Sequence, residues 1–244
     1  MQPRRQRKKR AAARPPRPWL PVAIVGTAAL LAVVLIIVFS NTGGSSDGKP
    51  AKTTPGPTAS AVQSGTSLGQ DDAPVTMIEY FSFQCSHCAD YVRDTAPQIE
   101  KDFVETGKLR IEFHALGGEG KLLQASEAAA CAGEQNRYLE YYKYLFANRD
   151  RGFDKGTLRE YARDLGLDTE AFNSCLDSGG GSQQIISDTN DAMEQNLGTP
   201  TFFFGQTGTI DKESLPYPGE TSIVGAESYD VFRKAIEDEL AKAQ

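Results

Sequence analysis

Two histidines and four cysteines in 244 residues leave little material for a metal site. Zinc needs four ligands. The only nearby supply is Cys85, Cys88, His87 and His114, and His87 would have to bend back across its own turn, so no metal is expected. Basic charge is also missing where a nucleic-acid binder would need it. The first seventeen residues, MQPRRQRKKRAAARPPR, hold eight Lys/Arg and no acid, which leaves 18 basic against 32 acidic residues, a net of −14, for the remainder. A surface of that sign is a poor partner for phosphate. No internal repeat is visible, and 39% apolar residues with 9% aromatics fit a single globular core.

Charge is absent altogether from Trp19 to Phe39, WLPVAIVGTAALLAVVLIIVF. These 21 residues match the length of a helix that crosses a bilayer. The Lys/Arg cluster before them keeps that end in the cytoplasm and places everything after Phe39 outside it. A cleavable signal peptide is the alternative, but its apolar region is shorter, roughly 7 to 15 residues, and no A-x-A follows the run here, although Val38-Phe39-Ser40 imitates one. No cysteine ends the run, which argues against lipoprotein processing. With either processing the domain sits where disulfides persist.

Hydrophobic period is missing from Ser40 to about Ser67, a stretch made almost entirely of Gly, Ser, Thr, Pro and Ala that reads as a disordered tether. Its flexible reach is roughly 30 Å. The expected organisation is thus a basic tail over 1–18, an anchor over 19–39, a linker over 40–67 and a folded domain over 68–244.

VTMIEYF, from Val75, is a near-continuous apolar and β-branched run of the kind found in strands covered on both faces. Val92, Ala96, Ile99 and Phe103 then recur at helical spacing and stop near Gly107, with Pro97 predicting a kink. LRIEFHAL, Leu109 to Leu116, reads as a second strand, so strand, helix and strand suggest a βαβ unit with parallel strands. A mostly helical block follows, about 119–197, in which DKGTLREYARDLG and DTEAFNSCLDSG each open on Asp and close on Gly. TFFFG, Thr201 to Gly205, resumes strand and expects a hairpin partner before Gly225. Tyr229, Phe232, Ala235, Ile236 and Leu240 give the last helix an apolar face. The fold class is α/β, a mixed sheet with helices on its faces and an inserted helical block.

The chemistry centres on FSFQCSHC, Phe81 to Cys88. A bare C-x-x-C serves zinc sites, staples and redox pairs alike. Here Cys85 ends a strand and falls at the start of a helix, where unpaired N–H groups and the helix dipole favour an anion. That anion is a thiolate, the attacking form in disulfide exchange. His87 can add a charge or a hydrogen bond to it, or can stand in solvent without effect. Each unit by which the Cys85 pKa falls below the working pH stabilises the reduced dithiol by about 1.4 kcal/mol, near 30 mV for a two-electron couple, and so makes the disulfide more oxidising. Glu79 shares strand parity with Val75, Met77 and Phe81. In a strand buried on both faces its pKa would rise and it could relay a proton for Cys88; on an edge strand it would face water.

DAPVTMIEYFSFQCSHC, the helical insertion and the later GTPTFFFG together resemble the DsbA-like thiol:disulfide oxidoreductases, which have a thioredoxin fold. The resemblance covers residues 68 to 244. It implies that Cys85 is the exposed nucleophile and Cys88 the buried resolving thiol. It also implies that Thr199-Pro200 is a cis-proline loop facing them, where the sequence alone would say trans. In such proteins the backbone before that proline pairs with an extended client, and an acid stands at the position of Glu79. The resemblance departs at Ser86, where the best-known oxidases have Pro, so the redox potential is not carried over.

If Cys85 and Cys88 are the redox pair, Cys131 and Cys175 remain as a staple within the helical block, as in DsbA-like proteins of some Gram-positive bacteria. The alternative is two separate buried thiols. His114 is assigned no role, and no cofactor is expected. The resemblance implies newly exported client proteins and a quinone-linked membrane reoxidant of the DsbB or VKOR kind. A reductase or isomerase is a rival, although reductases commonly carry Trp where Gln84 stands and isomerases carry a dimerisation domain that 40–67 cannot supply. A non-catalytic metal-binding or client-binding module is another.

Overall fold

The computed structural model describes residues 63–210 and 221–243. The basic tail, the apolar run 19–39 and residues 40–62 of the tether lie outside them. Among the described residues no helix is long and apolar enough to cross a membrane.

Six strands form one mixed sheet: β1 (Gln63–Ser64), β2 (Ser67–Leu68), β3 (Val75–Phe81), β4 (Leu109–Ala115), β5 (Thr201–Gln206) and β6 (Thr221–Val224). Their spatial order is β1-β2-β4-β3-β5-β6. β3 is central, parallel to β4 and antiparallel to β5. Every residue of β3 is buried, as its near-continuous apolar and β-branched run suggests, and Glu79 is buried with them. β6 is the hairpin partner expected for β5. The sheet starts earlier than the sequence suggested, because β1 falls inside the expected linker and β2, which begins at its last residue, pairs antiparallel with β4. Two-residue strands are too short to show a period, and only their backbone pairing and the burial of Leu68 reveal them.

The segment after the cysteines is helical but broken. Helix α1 (Ser86–Asp94) ends at Thr95, and α2 (Ala96–Ile99) holds Pro97 within its first two positions, where a missing N–H costs nothing. A π-helical turn over Glu100–Val104 then closes the segment. The helical block comprises α3 (Lys121–Gly133), α4 (Tyr138–Ala147), a 3₁₀ turn (Arg149–Arg151), α5 (Lys155–Asp164), α6 (Thr169–Ser178) and α7 (Ser182–Glu194). Asp154 and Asp168 cap α5 and α6 through their side chains, and Gly179 ends α6 in the left-handed conformation. The last helix, α8 (Tyr229–Lys242), buries Phe232, Ala235 and Ile236.

The sheet separates two apolar clusters. Val75, Met77 and Phe81 belong to the larger, together with Cys88 and Tyr91 of α1, Tyr138 and Tyr142 of α4, and Phe232 of α8. Ile78 and Tyr80 point the other way, toward Ala192 of α7 and Phe203. That period of two puts Glu79 on the face of the larger cluster, beneath α1 and α4.

Candidate redox site

The turn from β3 into α1 places the first cysteine. Cys85 has an extended backbone (φ −71°, ψ 124°) and is the N-cap of α1. Its sulfur accepts the Cys88 N–H at 3.3 Å, and its own N–H donates to the Ser82 carbonyl at 3.0 Å. One turn on, Cys88 faces the core and is fully buried, while Cys85 is half-buried. Both thiols are free.

Thr199 and Pro200 come from a part of the chain 114 residues away and close over this turn. The Thr199-Pro200 peptide bond is cis, and the Cys85 thiol donates to the Thr199 carbonyl at 3.2 Å. Pro200 is buried behind the carbonyl, and β5 starts at the next residue.

The two sulfurs ionise very differently. Burial works against the Cys85 thiolate, but hydrogen bonds from the Thr199 side chain, the Cys88 thiol and N–H, and the His87 N–H outweigh it, and Cys85 is held below the usual thiol range. Burial pushes the Cys88 thiol far up, and the charges of Cys85 and Glu79 add to the rise. The helix start thus supplies a nucleophile and, three residues later, a thiol that resists ionisation. His87 contributes to Cys85 through its backbone N–H, and its side chain is exposed.

Glu79 stands on the central strand and is 1% exposed, so the edge-strand alternative does not hold. Its Cα partners on the flanking strands are Phe113 and Phe202. Burial drives its carboxyl from 4.5 up to about 8, against a lowering hydrogen bond from Tyr142 and with a further rise from the charge of Glu100. The Tyr142 hydroxyl donates to Glu79 Oε1 at 2.6 Å.

Cys131 and Cys175 form a disulfide with their Cα atoms 5.7 Å apart, joining α3 to α6. His114 lies away from the cysteines, with Nδ1 3.1 Å from Asp188 Oδ2 and its ring 4.8 Å from that of Tyr80. Among the described residues no group of three or more His, Cys, Asp and Glu is placed to hold a metal ion.

Two contacts at this site carried no signal in the sequence. One is the Tyr142 bond. The other is Arg149, whose Nη1 donates to the Cys85 carbonyl at 3.1 Å from the 3₁₀ turn of the helical block. Arg149 also lines a groove of about 650 Å³ with Ser86, Ala89, Arg93 and Phe146, so the first turn of α1 opens onto a partly apolar groove.

Comparison with known proteins agrees with this geometry. A family model described as thioredoxin matches residues 61–238. Disulfide bond formation protein D of Bacillus subtilis is 26% identical over 185 residues, covering 71% of this chain and 76% of that protein. A Rickettsia felis protein provisionally named a protein-disulfide oxidoreductase is 28% identical over 156 residues, and the match spans only 56% of its length. The crystal structure of alpha-DsbA1 from Wolbachia pipientis superposes with a TM-score of 0.63 at 26% identity, over 73% of this chain and 92% of that one. A helix-capping cysteine with a buried partner one turn on, the carbonyl of the residue before a cis proline against the first sulfur and an inserted helical block all point the same way: the chain belongs to the thioredoxin family, among its DsbA-like thiol:disulfide oxidoreductases.

Proposed function

We propose that this protein is a membrane-anchored, extracytoplasmic oxidase that donates its Cys85–Cys88 disulfide to newly exported proteins. The observation that carries the reading is the asymmetry of the pair: the Cys85 thiol lies low and the Cys88 thiol high, within one helical turn. A stabilised Cys85 thiolate favours the reduced enzyme, which drives its disulfide onto a client.

In the exchange a client thiolate attacks the Cys85 sulfur of the oxidised enzyme, a client–Cys85 bond forms, and Cys88 leaves with the electron pair. Glu79, protonated at neutral pH, supplies a proton to that buried sulfur. A second client thiolate then attacks the client sulfur of the mixed disulfide and releases Cys85 as a thiolate. The client leaves oxidised and the enzyme dithiol. The backbone at Thr199 supports an extended client beside Cys85, since its carbonyl already lies within hydrogen-bond reach of that sulfur. A quinone-linked membrane partner of the DsbB or VKOR kind would restore the disulfide, and an anchor over 19–39 with a flexible tether would suit that encounter.

The test is the reduction potential of the Cys85–Cys88 pair, measured on the full chain in detergent against glutathione buffers. A value well above about −180 mV supports the oxidase, and a value near about −270 mV, where thioredoxin lies, turns the same fold into an electron donor.

A further inference from the structure

The buried acid is held by a residue of the inserted helices. Glu79 lies on the sheet between Phe113 and Phe202, its partners on β4 and β5, and neither can offer it a hydrogen bond. The ionisable groups that bear on it come from the elements packed over that face. They are Cys88 and Tyr91 of α1, Glu100 after α2, and Tyr138 and Tyr142 of α4. Glu100 is itself paired with Lys143 at 2.5 Å. The Tyr91 hydroxyl is buried and has no hydrogen-bond partner among the described residues. The Tyr142 hydroxyl does reach the acid, at 2.6 Å from Oε1.

Tyr142 has little freedom to point elsewhere. Its ring is fully buried, with centroids of Phe81, Phe113 and Phe146 each 5.0 Å away and that of Phe83 at 6.0 Å. A phenol held in such a cage keeps its O–H directed at one acceptor, and with its pKa raised by burial it donates and does not ionise.

We infer that Tyr142 is a positioning residue for disulfide exchange, its hydroxyl holding the Glu79 carboxylate that forms when that acid protonates Cys88. The inference rests on the oxidoreductase reading above. When the client–Cys85 bond forms and the Cys85–Cys88 bond breaks, Cys88 takes the electron pair. The Glu79 proton moves to that sulfur, and the negative charge moves to a carboxylate that is 1% exposed. A hydrogen bond to an ionised acceptor is stronger than one to the neutral acid, so the Tyr142 bond favours the state after transfer. The helical block therefore takes part in the chemistry of the thioredoxin core, through one hydroxyl 63 residues along the chain.

The experiment uses the full chain in detergent and the variants Tyr142→Phe and Glu79→Gln. Tyr142→Phe removes one oxygen and leaves the ring cage filled. Two quantities are followed against pH: the infrared carbonyl band of the buried carboxylic acid, assigned by its loss in Glu79→Gln, and the rate of reduction by a small dithiol, corrected for its thiolate fraction. In the wild type the band titrates at about 8 and the rate falls with it. In Tyr142→Phe both midpoints move up by roughly one pH unit, a tenfold change in the acid's ionisation equilibrium. An unmoved band, a moved band with an unmoved rate limb, or a Glu79→Gln variant that keeps the wild-type limb each overturns the inference. Failure of the oxidoreductase reading looks different: wild-type cysteines that exchange with no dithiol at any pH, which takes the inference with it.

Discussion

Glu79→Gln should make the folded protein more stable at neutral and alkaline pH. The wild-type carboxyl titrates near 4.5 when unfolded and near 8 when folded, because folding removes it from water. Between those values the native state holds a proton that the unfolded state has released. Stability then falls as pH rises, by about 1.4 kcal/mol per pH unit for one group. Over the span from 4.5 to about 8 the loss amounts to about 5 kcal/mol, a large part of the total for a domain of this size. The glutamine is neutral throughout and its side-chain oxygen still accepts from Tyr142, so the variant escapes this loss. The assay is guanidinium unfolding of both proteins from pH 4 to 9 with the cysteines in the same redox state. The difference between the two curves cancels the contribution of every other group. It should be flat below about 4.5, grow in favour of the variant up to about 8, and be flat again above. A difference independent of pH would mean that the carboxyl ionises alike in the folded and unfolded states, and that burial does not raise its pKa. Retention of so costly an acid beneath Cys88 is what a proton relay requires, and the variant should therefore exchange disulfides more slowly although it is more stable.

Other outcomes follow from the same geometry. Offered a disulfide-bonded client, Cys88→Ser should attack it through the Cys85 thiolate, release one client thiolate and stay on non-reducing gels as a mixed disulfide, whereas Cys85→Ser should form none, because Cys88 is buried and resists ionisation. Replacing both Cys131 and Cys175 with Ala opens a link between residues 44 apart and should cost about 4 kcal/mol in guanidinium unfolding, while the Cys85–Cys88 potential stays unchanged. Gly180→Ala would put a methyl group into the Cys175 sulfur and 2.8 Å from that of Cys131. It should therefore lower the melting temperature of the wild type and have a much smaller effect when the staple is already absent.

Particular residues show how far local pattern reached. The near-continuous VTMIEYF run announced a strand covered on both faces, and its parity set Glu79 with Met77 and Phe81, as found. The approach of Cys85 to a helix start was legible because a strand pattern stops there and a helical one begins, and the N-cap geometry follows. Asp154, Asp168 and Gly179 mark helix ends through rules that involve only neighbouring residues. Pro97 foretold a kink, but not that the chain would reopen as a short helix and a π-turn. β1 and β2 escaped notice because two residues have no period and owe their conformation to the backbone of β4.

From β3 onward the main strands and helices, the pair of cysteines at a strand-to-helix turn and the acid below it are legible in the chain, because each is written in spacings of a few residues. Tertiary structure alone decided which distant groups meet there. It brought the Thr199 carbonyl to the Cys85 sulfur, Arg149 to the Cys85 carbonyl and the Tyr142 hydroxyl to Glu79, across 114, 64 and 63 residues. One tyrosine among nine, or one arginine in a surface turn, has no local mark of its partner. The partner appears only when the chain folds: packing of α4 over β3 buries the Tyr142 hydroxyl against Glu79, and the turn after α4 brings Arg149 to the Cys85 carbonyl.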